Sequence, residues 1–277
     1  MKASFFIARR YLRSPRNSGF VSFLTFFAIL GITVGVATLI IASSILDGFE
    51  RTIKENVISF TAHMQVYGFQ GQLLQNPEAA ARKVRERYQE VEVMAPYLAR
   101  EAMIRSENGI DGVLLKGIDP GNDISAARKH LLEGAYDLRM RSEGLQKMVV
   151  GKRLAERLAI GVGDKVLVFA LGGFSLLVSQ TRVMQFEITG VYETGMEEYD
   201  ASDVYTNNES AQPLIQVGKA VSGFDVLVRD LARVKQLAEE IPADLGYPYY
   251  ARTMFQTYRN LFAWIDLQKT QIPIILR

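Results

Sequence analysis

Four carboxylates crowd one short stretch, Glu197, Glu198, Asp200 and Asp203 in GMEEYDASDVY. Acidic groups so close together are able to hold a cation or to work as an acid and base pair. No second motif converges on them, so a solvated turn is the expectation. His63 and His130 lie far apart without the spacing of metal ligands, and read as ordinary polar or half-buried residues. The glycines of GVGDKV, from Gly161, suggest a phosphate loop, yet GxxxxGKS/T occurs nowhere and a turn is the simpler reading. GxSxG, HExxH and Rossmann signatures are absent too. The residue types therefore imply no catalytic site, no metal and no cofactor.

The element that positions everything else runs from Phe20 to Leu46, about 27 residues without a charged side chain. A bilayer core about 30 Å thick needs roughly 20 apolar helical residues. A lone segment can satisfy its backbone there only as an α-helix, so a transmembrane helix is predicted. Lys2, Arg9, Arg10, Arg13 and Arg16 precede it with no acidic residue, whereas mixed charges follow. The positive-inside rule then keeps the N-terminus in the cytoplasm and exports what comes after Leu46. A cleaved signal peptide is the alternative, but its apolar region spans about 7 to 15 residues and ends at a small-residue cleavage site. Here Ala42, Ser43 and Ser44 come far later and are followed by Ile45 and Leu46.

With 48% hydrophobic and 22% charged residues, most of the 277-residue chain must form a soluble domain. Of 32 Lys and Arg, five sit in the N-terminal tail, against 30 Asp and Glu in all, so the exported part is slightly acidic and implies no nucleic-acid partner. The chain has no cysteine, which fits a bacterial periplasm without disulfides.

Along the chain, Gly31 and Gly35 form a GxxxG on which another membrane helix could pack. The helical pattern continues to about Val57. Strands are predicted at His63–Tyr67, Leu98–Arg105, Gly112–Ile118, Met148–Val150, Val166–Ala170, Arg182–Val191 and Val221–Val228. Helices are expected from Pro77 to about Tyr88, around Ile124–Leu132, and over Lys152–Ala159, Asn208–Gln216 and Leu231–Ile241. Leu171–Thr181 is too apolar for an ordinary turn: Phe174, Leu176 and Leu177 fall near the tip of an extended hairpin, where exposed apolar groups meet a partner or a membrane. From Thr253 an amphipathic helix begins, and Ile272 to Leu276 read as the opening of a second span, with Tyr258 and Trp264 suited to the interface. The fold class predicted is α+β: residues 1–19 a cytoplasmic basic tail, 20–46 a transmembrane helix, 47–252 a mixed α/β periplasmic domain, and 253–277 a connecting helix and the start of a second transmembrane helix.

The tail FIARRYLRS, SSILDGFERTIKENVISF, LKGIDP, VVGKRLAERLAIGVGDKV, GVYETGMEEYD, VSGFDVLV and RNLFAWIDLQK occur in order over nearly the whole chain. Together they resemble the permease subunits of lipoprotein-releasing ABC transporters, the LolC and LolE type within the wider MacB and FtsX class. The resemblance implies a multi-pass protein of the bacterial inner membrane with four membrane helices and a MacB-like periplasmic core. It implies as partners a cytoplasmic ATP-binding subunit, a second permease subunit, identical or paralogous, an acylated lipoprotein substrate, a periplasmic lipoprotein chaperone and membrane lipid. The chain itself is then no enzyme but a transmitter of motion, with an expected apolar cradle for the lipoprotein at Ile41, Ile45, Phe49 and Phe262. The hairpin with Phe174, Leu176, Leu177 and Arg182 falls where the chaperone-recruiting subunits carry their hook, but it has no proline at its tip. Whether this copy recruits the chaperone, holds substrate, or does both as a homodimer stays open. A related permease for efflux or cell-wall hydrolase control is one alternative, and a single-span anchored enzyme or sensor a more distant one.

Overall fold

A computed structural model describes residues 19–60, 62–139, 145–170, 182–215, 218–260 and 262–263. The chain divides into two compact units, residues 1–55 with 264–277, and residues 56–263. Helix α1 (Gly19–Phe60) is continuous, and its stretch Phe23–Leu46 has a mean hydropathy of 2.5 with no residue buried. Length and composition suit a membrane crossing. The hydroxyls of Thr33, Thr38 and Ser44 donate to the carbonyls of Ile29, Val34 and Ile40 at 2.7 to 2.9 Å, so these three need no water.

The second unit is built on a ten-stranded sheet. Its elements are β1 (Met64–Gly68), α2 (Pro77–Arg87), β2 (Val91–Arg105), β3 (Ile110–Ile118), α3 (Ala126–Lys129) and β4 (Leu131–Gly134), then β5 (Gln146–Gly151), α4 (Lys152–Leu158), β6 (Lys165–Ala170), β7 (Val183–Tyr192), α5 (Glu197–Ser202) and β8 (Asp203–Asn207), and finally α6 (Asn208–Ile215), β9 (Gly223–Val228), α7 (Val234–Leu245), β10 (Tyr249–Thr253) and α8 (Met254–Thr257).

Two lobes share strand β2. The first half of β2 lies beside β9, and the order β10-β1-β9-β2 is antiparallel throughout. With α2 following β1 and α7 following β9, this is a split βαβ lobe. Its core gathers Met64, Val66, Val84, Phe224, Val226, Leu237 and Ile241. Everything between β2 and β9 is an insertion into that lobe. There β2, β3, β8, β5, β7 and β6 pair in turn, and β6 returns to Ala102–Arg105 of β2, closing a six-stranded ring. Closure removes free strand edges. Inside it lie Leu98, Ile104, Leu115, Val150, Val168, Phe186 and Ile188, with α4 and α6 adding Leu154 and Leu214.

The predicted strands Leu98–Arg105 and Gly112–Ile118 fall in β2 and β3, which the Asn108–Gly109 turn joins as a hairpin, closed by Ser106 N donating to Gly109 O at 2.9 Å. Two expectations need correction. The helix around Ile124–Leu132 shrinks to the single turn α3, because Leu131 leaves it to pair with Tyr192 of β7. The solvated turn GMEEYD is instead helix α5 running directly into buried strand β8. Here tertiary pairing outweighs turn propensity: β8 lies parallel to β3 and antiparallel to β5.

Candidate functional site

The acidic stretch does not gather into one acid–base or cation site. Asp200 is buried, and its Oδ1 accepts from both N and Oγ1 of Thr194 at 2.8 Å while Oδ2 accepts from Gly195 N at 3.0 Å. It closes the loop into α5. Gly151 has no side chain because Asp200 O lies 2.3 Å from where a Cβ would stand. Glu197 and Glu198 are exposed. Among the described residues no group of three His, Cys, Asp or Glu is placed to hold a metal ion.

Asp203 does something else. In the parallel register of β3 and β8, Leu114 stands opposite Asp203 and Lys116 opposite Tyr205. Side chains two apart share a face, so Lys116 meets Asp203 on the side away from the ring's core. The ammonium lies 2.8 Å from Asp203 Oδ2, with only 16% and 6% of the two side chains exposed. It also stands 5.5 Å and 5.7 Å from the ring centres of Tyr199 and Tyr205, within cation–π range. Asp225 of β9 completes the group, accepting from Gln65 Nε2 of β1 at 2.8 Å. Burial opposes charge on Lys116, but Asp203 and Asp225 overcome it and hold the ammonium above its ordinary value. Burial raises the Asp225 carboxyl, against the pull of Lys116 and of Gln65. A cavity of about 40 Å³ opens among Ala62, Gln65, Lys116, Tyr199, Tyr205 and Asp225. That is room for water rather than for a small-molecule substrate.

The cluster also touches the segment that follows β10. Thr253 caps α8 through a reciprocal pair of hydrogen bonds with Gln256. One turn later the hydroxyl of Tyr258 bonds to that of Tyr199, and Phe262 N donates to Tyr258 O at 3.1 Å, extending the helical path. Sequence reading did not single out Lys116. Its available signal was a lysine between Leu114 and Ile118 on one face of a strand.

The residues expected from sequence fall as follows. Gly31 and Gly35 lie on α1, where an added Cβ would meet nothing within 4 Å. Ile41 and Ile45 are 59% and 67% exposed, and Phe49 lies on the same helix. Phe262 belongs to the second unit, where its ring lies 5.0 Å from that of Phe255. Phe174, Leu176 and Leu177 lie outside the described residues, as does the predicted second span. Arg182 is exposed and donates to Pro213 O at 3.1 Å. His63 is half-buried, its Nδ1 3.1 Å from both N and O of Val228.

Residues 25–244 match the family described as the MacB-like periplasmic core domain. The chain belongs to this family. The match takes in most of α1 and the second unit as far as α7. The lipoprotein-releasing system transmembrane protein LolC of Xylella fastidiosa strain Temecula1 is 28% identical over 281 residues, covering 98% of this chain and 65% of that protein. LolC of Neisseria meningitidis serogroup B is 28% identical over 285 residues with the same two shares. The chain thus spans about two thirds of the length of these relatives. The solved periplasmic region of MacB from Actinobacillus actinomycetemcomitans covers 76% of this chain at 13% identity, with a TM-score of 0.48.

Proposed function

We propose that this chain is the N-terminal part of a permease subunit of an ABC transporter that releases lipoproteins from the bacterial inner membrane. The observation that carries this reading is the likeness to LolC over 98% of the chain, apolar helix and MacB-like core together. In this reading α1 is the first membrane helix, with the N-terminus cytoplasmic, the domain periplasmic and a second span beginning near Ile272. A separate ATPase supplies energy, and a second permease subunit packs near Gly31 and Gly35. Each acyl CH₂ drawn from lipid into water costs about 0.8 kcal/mol, so extraction needs both that energy and an apolar cradle. We assign the cradle to Ile41, Ile45, Phe49 and Phe262, and chaperone contact, in a chaperone-recruiting copy, to residues 171–181 with Arg182. The chain transmits motion and performs no bond chemistry of its own.

Affinity capture of the full-length protein from detergent-solubilised membranes, followed by mass spectrometry, tests the reading. A cytoplasmic ATPase together with acylated lipoproteins is the expected result. An ATPase without lipoprotein would move the protein to the efflux or hydrolase-control permeases, which the MacB-like core also fits. Capture without any ATPase would sink the permease reading.

A further inference from the structure

We propose that the Lys116 cluster is an internal strut that makes the two lobes and both membrane-linked chain ends move as one body, a role that rests on the permease reading above. Both ends of the domain meet at one place. Met64 pairs with Thr253, and Met254 N donates to His63 O at 3.1 Å. Ala62, two residues past the end of α1, lines the cavity, and Gln65 holds Asp225. On the other side Tyr258, on the segment that leads toward residue 264, is bonded to Tyr199. The cluster therefore touches the chain as it enters the domain and as it leaves.

The cluster spans the lobes through the Tyr199–Tyr258 hydroxyl bond and through the small cavity that Lys116 and Asp225 line together. Asp225 stands on β9 of the split βαβ lobe, while Lys116 and Asp203 stand on β3 and β8 of the closed ring. Apolar contact is non-directional and tolerates sliding. Charged and hydrogen-bonded groups in a low dielectric fix distance and angle. A buried ion pair is often no more stabilising than an apolar replacement of equal size, so what it supplies here is geometry. Gly117, next to Lys116, adds to the fit: a Cβ there would stand 2.6 Å from Ala211 Cβ, so β3 is seated directly against α6.

The test uses the full-length permease with its ATPase in proteoliposomes. These 277 residues have no cysteine, so with any cysteine elsewhere in the complex replaced, Glu156→Cys on α4 and Glu239→Cys on α7 place one spin label on each lobe. Tyr258→Phe removes a single hydroxyl, and K116M/D203N/D225N removes the cation and both carboxylates together, so no charge of the cluster is left alone. In both variants ATP turnover is expected to persist while lipoprotein released per ATP falls about two- to tenfold, the range for losing a buried hydrogen bond. The distribution of label distances should broaden. Variants that fold and show an unchanged distribution, or unchanged release per ATP, overturn the strut. If the unsubstituted permease releases no lipoprotein, the functional reading fails by itself, and the label distances alone then decide the strut.

Discussion

Asp225 shows how one side chain can work against stability at neutral pH. Burial raises its carboxyl above the ordinary value, and Lys116 and Gln65 only partly offset this. A carboxyl whose folded-state pKa lies above its unfolded one, near 3.9, is bound more tightly by a proton in the folded protein. Its contribution is therefore fully present below the unfolded value and is lost as pH rises through the folded one. Asp225→Asn keeps an oxygen for Gln65 Nε2 while removing the desolvated charge. The melting temperature of the domain should rise at pH 7, and the gain should shrink on lowering the pH to about 4. A fall at pH 7 would mean that attraction to Lys116 outweighs desolvation. Asp200 is the contrasting case, since three donors from Thr194 and Gly195 already answer its charge.

At the scale of elements, α1 is apolar on every side and has no buried residue along its Phe23–Leu46 stretch, so what distinguishes one face from another is side-chain size. Gly31 and Gly35 are four residues apart and make a smooth strip on which a second helix can approach closely. Gly31→Leu with Gly35→Leu should leave insertion intact, because leucine favours both helix and lipid. Association of full-length permease subunits, measured by energy transfer between labelled copies in vesicles, should weaken. Unchanged transfer would assign the contact to another face. Helix α1, α2 starting at Pro77, the Asn108–Gly109 hairpin and the ring strands with clear alternation were all legible in the sequence, because local periodicity and turn chemistry set them. Strand β10, the first half of β2 and β8 were not. The residues of β8, DVYTN, are buried at every position, so alternation could not reveal them, and the partners of their polar ends include Lys116 and Leu138 O, far away in sequence. The cluster around Lys116 stayed hidden for the same reason, as its members are separated by up to about 190 residues, from Gln65 to Tyr258.

The domain as a whole hangs from adjacent ends. Because Met64 pairs with Thr253, the chain enters and leaves the split βαβ lobe at one point, and the closed ring is carried as an insertion that contains neither terminus. Strand β2 runs through both lobes, pairing with β9 from Val91 to Tyr97 and with β6 from Ala102 to Arg105. A third cluster, with Ile118, Val149, Tyr192 and Tyr205, lies beside the ring core. Each lobe has its own apolar core, so two separate transitions are conceivable on burial grounds alone. The continuous backbone of β2 and the Tyr199–Tyr258 bond beside the Lys116 cluster argue instead for one. A piece comprising residues 62–263 on its own should be soluble and should unfold in denaturant with coincident curves by far-ultraviolet circular dichroism and by tyrosine fluorescence. Coincidence is the decisive feature, since both signals draw on both lobes but in different proportion: tyrosines lie on the ring side, as Tyr192 and Tyr205 do, and in the split βαβ lobe, as Tyr67, Tyr249 and Tyr250 do. Two separated curves would show that the ring unfolds independently of the lobe that carries it. The whole-body movement assigned to the Lys116 strut would then lack the rigid connection it requires.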